Sequence, residues 1–137
     1  MDNCIFCKII KGDLPAEKIA ENDDFIAILG IRPRYPGMTV IVSKKHFDSY
    51  LYQSMPDDLL SKMHVFVKQT ALKIDKTLGS FRCVQIMEGF DVNHAHIKLF
   101  PCYKDSMYEA KYEGEDMVNP EELKKVADII RNKSAIS

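Results

Sequence analysis

His94, His96 and Lys98 stand two apart in the stretch His94-Ala95-His96-Ile97-Lys98-Leu99-Phe100. On an extended strand such residues share one face, roughly 6–7 Å apart. Two imidazoles and an ammonium in a row suit a phosphate group. A neutral imidazole can attack phosphorus, and a neighbouring cation neutralises the oxygens of the transition state. The same alternation also describes an amphipathic strand with a solvated polar face, and H-x-H alone is too short to decide between them. A second cluster of reactive types lies at the N-terminus. Cys4 and Cys7 form C-x-x-C, a spacing that puts two thiolates on one metal ion or makes a redox pair. No second C-x-x-C exists, so a tetrahedral metal site would draw on the four histidines, His46, His64, His94 and His96. Cys83 and Cys102 read as small buried residues. His64 reads as a surface or subunit-contact histidine beside the apolar face of a helix.

The elements that must position these groups follow from periodicity. Residues 25–29 (FIAIL) and 38–43 (MTVIVS) read as buried strands, separated by a Pro- and Gly-rich turn at 32–37. Residues 56–78 read as the longest helix. Pro56 takes the first helical position, Asp57 and Asp58 meet the positive helix end, and Gly79 stops it. Leu59, Leu60, Met63, Phe66, Val67, Ala71, Ile74 and Leu78 give that helix one apolar face. FRCVQIM (81–87) is a third strand and HAHIKLF (94–100) a fourth, ended by Pro101. Residues 103–118 show no clear period and read as a loop able to rim the cleft. Asn119-Pro120-Glu121-Glu122 opens a last helix with Leu123, Val126, Ile129 and Ile130 on its buried stripe. Strands paired in sequence around one long helix predict an α+β fold with an antiparallel sheet.

Composition narrows the function classes. The chain has 137 residues, 46% hydrophobic and 28% charged, which predicts one domain over 1–137 with its own core. Nineteen Lys and Arg against twenty Asp and Glu give a net charge of −1 and argue against broad nucleic-acid coating or a polybasic membrane anchor. No apolar run approaches a membrane span or a signal peptide, so the expected location is the cytoplasm, with the nucleus as the alternative.

Three ordered motifs together carry more than any one alone. Cys4-Ile5-Phe6-Cys7-Lys8-Ile9-Ile10, then Pro33-x-x-Pro36-Gly37 leading into Thr39-Val40-Ile41-Val42-Ser43-Lys44-Lys45-His46, then His94-Ala95-His96-Ile97-Lys98-Leu99-Phe100-Pro101, resemble the histidine-triad (HIT) nucleotide-binding family. The likeness spans residues 4 to 101. It implies a HIT-like fold with an antiparallel sheet of about five strands, one long helix and a C-terminal helix, in a homodimer. It implies attack at the α-phosphate of a nucleoside phosphoramidate or dinucleoside polyphosphate, with His96 as nucleophile, a nucleotidyl-histidine intermediate and no redox or organic cofactor. It also implies a structural Zn²⁺ held by Cys4, Cys7, His46 and His94, a Cys₂His₂ set that leaves no open position.

The departures from the family pattern concern the substrate. Lys98 replaces the third histidine and keeps the charge as a longer point donor, which favours the neutral form of His96. Gly30 stands where the family has an acidic group for the ribose hydroxyls, and Gly37-Met38 replaces a Gly-His. Gly89-Phe90-Asp91-Val92 replaces a Gly-Gln-Ser/Thr-Val whose polar groups meet phosphate or leaving group. An inward Asp91 would repel phosphate. Lys98, Asn93 and Gly89 are the candidate substrate-binding residues, with Asn93 as a neutral donor whose side chain alternates away from the histidines. These departures leave three functions in view: a HIT-type hydrolase or transferase with altered preference, a zinc-stabilised nucleotide- or phosphate-binding module with weak or no catalysis, and a dimeric interaction protein.

Overall fold

Runs of β-branched and apolar residues fill the middle of the sheet, and polar segments make its edges. In the computed structural model, which describes residues 3–104 and 108–136, five strands pair antiparallel in the order β1-β2-β3-β5-β4. They are β1 (Lys18–Glu21), β2 (Phe25–Leu29), β3 (Thr39–Ser43), β4 (Arg82–Ile86) and β5 (His96–Cys102). β2, β3 and β5 are buried along their whole lengths, as strands covered on both faces must be. The register sets Val42 opposite His96, Ile41 opposite Ile97 and Val40 opposite Lys98.

Alternation along these strands divides the core in two. Phe25, Ala27, Leu29, Ile41, Ala95, Ile97 and Leu99 face α3 (Asp57–Leu78) and α4 (Pro120–Ile136). Ile26, Ile28, Val40, Val42 and Phe100 face the other way, under Phe6 of α1 (Ile5–Lys11). His96 and Lys98 lie on this second face, so the apolar packing that sets the strand register also fixes where they point. Each fully buried large apolar side chain contributes roughly 1.5–3 kcal/mol. A one-residue slip would exchange the two faces and lose that packing throughout β5. Among the described residues no helix is long and apolar enough to cross a membrane.

The α+β antiparallel architecture is the expected one, with five corrections. The residue pattern gives four strands, whereas β1 is a fifth, a half-exposed edge strand held from outside by Lys73 Nζ donating to the Ile19 carbonyl and Arg131 to the Lys18 carbonyl. His94 precedes β5 instead of opening it. Pro101 lies within β5 instead of ending it: pairing with β3 stops at Leu99, so its missing N–H leaves no β3 carbonyl without a partner. Pro56 caps α3 with extended backbone, one position before the first helical residue. The segment expected to be loop contains a 3₁₀ turn over Tyr108–Lys111. A short helix, α2 (Leu51–Ser54), precedes α3 and has too few residues to leave a periodic signal.

Candidate functional site

The N-terminal thiols reach the sheet because Cys4 caps α1. Its Sγ accepts the Cys7 N–H at 3.4 Å, so both thiols sit at one end of a single helical turn. His46 follows β3 and His94 precedes β5, and the antiparallel pairing of those strands brings the two histidines together. The four donor atoms lie within 4.8 Å of one another. His46 Nδ1 is 3.0 Å from His94 Nδ1, Cys4 Sγ is 3.2 Å from His94 Nδ1, and Cys7 Sγ is 3.4 Å from His46 Nδ1. Four ligands around one zinc at ordinary bond lengths stand about 3.3–3.8 Å apart, so the set fits a tetrahedral ion once its nearest donors spread and its farthest draw in. Protonation agrees with that fit. His94 Nε2–H donates to the Ser43 carbonyl at 2.7 Å, which leaves Nδ1 with its lone pair toward the other donors. Burial, together with the neighbouring His46 and His96, holds His94 below its usual range and therefore neutral. Burial and the adjacent Cys4 thiol raise Cys7, a cost that a bound cation would reverse.

His94 serves His96 through its backbone. His96 Nδ1–H donates to the His94 carbonyl at 2.6 Å, so in the neutral ring the lone pair lies on Nε2. The ring is 2% exposed, and Nε2 is the one buried side-chain N or O atom without a hydrogen-bond partner among the described residues. Phe6 contacts both imidazoles edge-on, with ring centroids 5.8 Å from His94 and 5.2 Å from His96.

Lys98 is 5% exposed and remains charged. Burial works against its charge, but hydrogen bonds to Asp91 and Glu113 outweigh burial and raise its pKa. Its Nζ is 2.7 Å from Asp91 Oδ2, 2.7 Å from Glu113 Oε1 and 3.6 Å from Glu88 Oε1. Asp91 turns inward, and its Oδ1 lies 3.4 Å from His96 Nε2 without hydrogen-bond geometry. Glu88 and Glu113 are the site residues that sequence reasoning missed. They lie in separate segments, and only the buried lysine, which needs counter-charge, hints that such partners exist.

The remaining sequence candidates fasten the loop that carries Asp91. Asn93 Oδ1 accepts the Ser49 N–H at 2.9 Å, and the Gly89 carbonyl accepts Ser49 Oγ–H at 2.7 Å. Gly89 has φ +70°, and an added Cβ would lie 2.7 Å from Ser49 Cβ, so the close crossing requires glycine. Gly30 and Met38 are one packing feature: a Cβ on Gly30 would meet Met38 Sδ at 2.1 Å. On the same face of the sheet lies a cavity of about 440 Å³ floored by Ile9, Ile10, Ile26 and Ile28 and rimmed by the Lys44–Glu21 ion pair at 2.8 Å. Of the other expectations, Cys102 is buried, Cys83 is partly buried and hydrogen-bonded to Asp75, and His64 is exposed.

A family model described as the HIT domain matches residues 11–105. The chain belongs to the HIT family. An uncharacterised HIT-like protein of Methanocaldococcus jannaschii is 39% identical over 107 residues, covering 74% of this chain and 80% of that protein. The adenosine 5'-monophosphoramidase of Schizosaccharomyces pombe is 28% identical over 137 residues, covering 96% and 98%. Among solved structures, a hypothetical histidine triad nucleotide-binding protein from Sulfolobus tokodaii superposes with a TM-score of 0.83 at 25% identity, covering 97% of this chain and 93% of that one. In this HIT chain the third position of the triad is the buried, carboxylate-paired Lys98.

Proposed function

We propose that this HIT protein is a nucleotide phosphohydrolase or transferase acting at the α-phosphate, on nucleoside phosphoramidates or dinucleoside polyphosphates. One observation carries the reading: a buried imidazole, His96, with its Nδ1–H held by a carbonyl and its Nε2 without a hydrogen-bond partner. In the neutral ring this arrangement leaves the Nε2 lone pair for attack, as a nucleophilic histidine needs. His96 Nε2 attacks phosphorus in line, the P–N or P–O bond to the leaving group breaks, and water then cleaves the nucleotidyl-histidine. Lys98 neutralises phosphate oxygens, and Asn93 and Gly89 hold the loop beside them. The apolar-floored cavity takes the nucleoside. Cys4, Cys7, His46 and His94 would hold a structural Zn²⁺, which ties α1 to the strand ends and stiffens the peptide that bears His96. The chain is read as one cytoplasmic domain over 1–137 that pairs with a second copy, with no nucleic-acid or membrane partner.

A second reading, a zinc-stabilised nucleotide-binding module with little or no turnover, has one observation in its favour: Asp91 and Glu113 already occupy Lys98. Turnover of adenosine phosphoramidate and diadenosine polyphosphates by the wild type and His96→Ala separates the two. The hydrolase reading expects a loss of at least about a thousandfold in the variant, with its fold intact by circular dichroism. An inactive wild type that still binds AMP would favour the module.

A further inference from the structure

The surroundings of Lys98 bear on what the phosphate can be attached to, given the hydrolase reading above. Three carboxylates, Glu88, Asp91 and Glu113, converge on this one ammonium. The other cation lining the cavity of about 320 Å³ beside it is Lys111, whose ammonium lies 5.0 Å from the Tyr112 ring. The carboxylates around Lys98 therefore outnumber the ammoniums. The cluster does not stand alone as a sign of a ligand. The fully buried His96 Nε2 points at it without a partner, 3.4 Å from Asp91 Oδ1. One carboxylate thus spans the two groups that a phosphate must touch, the nucleophile and its cation. Asp91 is about half exposed and sits on a loop whose neighbour Phe90 is 93% exposed, so it can turn outward when a phosphate takes its place.

We propose that Asp91 is a specificity-determining residue: it holds the α-phosphate position in the free protein and, once displaced, acts with Glu113 and Glu88 to select a cationic amine as leaving group over a further phosphate. A polyphosphate leaving group brings several negative charges toward three carboxylates. An amine brings none, and one with a second ammonium is attracted. The chemistry of the bond points the same way. A phosphoramidate nitrogen leaves well only after it is protonated, and nearby carboxylates stabilise that cation. The nitrogen takes a proton from solvent, and the His96 Nε2 lone pair forms the new N–P bond. The old P–N bond breaks with its electron pair on nitrogen, so the amine departs uncharged at that atom. Water then attacks phosphorus, His96 is released, and a proton returns to solvent.

The test uses three substrates sharing adenosine 5'-phosphate: the phosphoramidate of 1,3-diaminopropane, the phosphoramidate of propylamine, and diadenosine tetraphosphate. kcat/KM is measured for the wild type, Asp91→Asn and Asp91→Glu. One unit charge at this range is worth about fivefold to tenfold. The wild type is expected to favour the diamine over propylamine by about that factor and to turn over the tetraphosphate slowest. Asp91→Asn keeps Glu113 on Lys98, and a thermal melt checks that it folds. It is expected to cut the diamine preference at least about threefold and to raise tetraphosphate turnover, and Asp91→Glu to restore the preference. Equal wild-type rates on the two phosphoramidates, or a preference unchanged in Asp91→Asn, overturn the proposal and leave the hydrolase reading standing. No turnover of any substrate overturns both.

Discussion

The two ends of the segment from His94 to Lys98 solve opposite electrostatic problems. At one end, the donor atoms of two thiols and two imidazoles lie within 4.8 Å of one another, a set suited to holding a cation. At the other, an ammonium is surrounded by carboxylates drawn from two loops. The first cluster would gain an added positive charge on binding. In the second the ammonium is already paired with carboxylates, and a ligand must open it. The same few residues of backbone therefore carry one site that binding completes and another that binding disrupts. His96 sits between them, held by the first and facing the second.

That contrast can be broken at either end. Removing the thiols should have the largest effect on stability. Cys4→Ser with Cys7→Ser is expected to drop bound zinc from about one per chain to near zero by elemental analysis. It should also lower stability by on the order of 3 kcal/mol, a fall in melting temperature of roughly 10 °C. If the second site is self-satisfied, its loss should cost less. Lys98→Met strands Asp91 and Glu113, but both carboxylates are about half exposed and can turn to water, so denaturant unfolding should show a loss of about 1–2 kcal/mol. Zinc content should not change. A loss comparable with that of the thiol variant would mean that the two ends are not different in kind.

The smallest expected effect is in pH. The Lys98 ion pair holds Asp91 below its ordinary value of 3.8, although burial alone would raise it. A depressed carboxylate contributes stability above its unfolded pKa and loses it as pH falls through the folded value. Lys98 is raised above 10.5, so its contribution is complete below that pH and is lost as pH rises through the folded value. The pair should therefore be indifferent to pH between about 5 and 9. Wild type and Lys98→Met should show a constant difference in melting temperature across that window, narrowing only below about pH 4 and above about pH 10.5.

The central strands and the long helix were legible because burial on one or both faces leaves a period in the sequence. β1 left none: with the pattern Lys18-Ile19-Ala20-Glu21 it exists because α3 and α4 reach across to its carbonyls. α1 was hidden by its cap, since a cysteine is not a common N-cap residue and here its sulfur accepts the N–H. Ligand chemistry narrowed the metal-type cluster to the Cys4–Cys7 pair and the four histidines, and only the family resemblance picked out His46 and His94 among them. The carboxylates around Lys98 could not, because any acidic residue on any nearby loop would meet the need. Asp91 was recognised as awkward if it turned inward, and inward is where it points.

His94 is used twice, its ring by one site and its carbonyl by the other. Two residues of chain make a very short lever arm, with little slack to absorb movement. A chelator that loosens the ring of His94 should disturb the proton on His96 as well, and the imidazole nitrogen resonances of the two residues should shift together, before any part of the sheet opens.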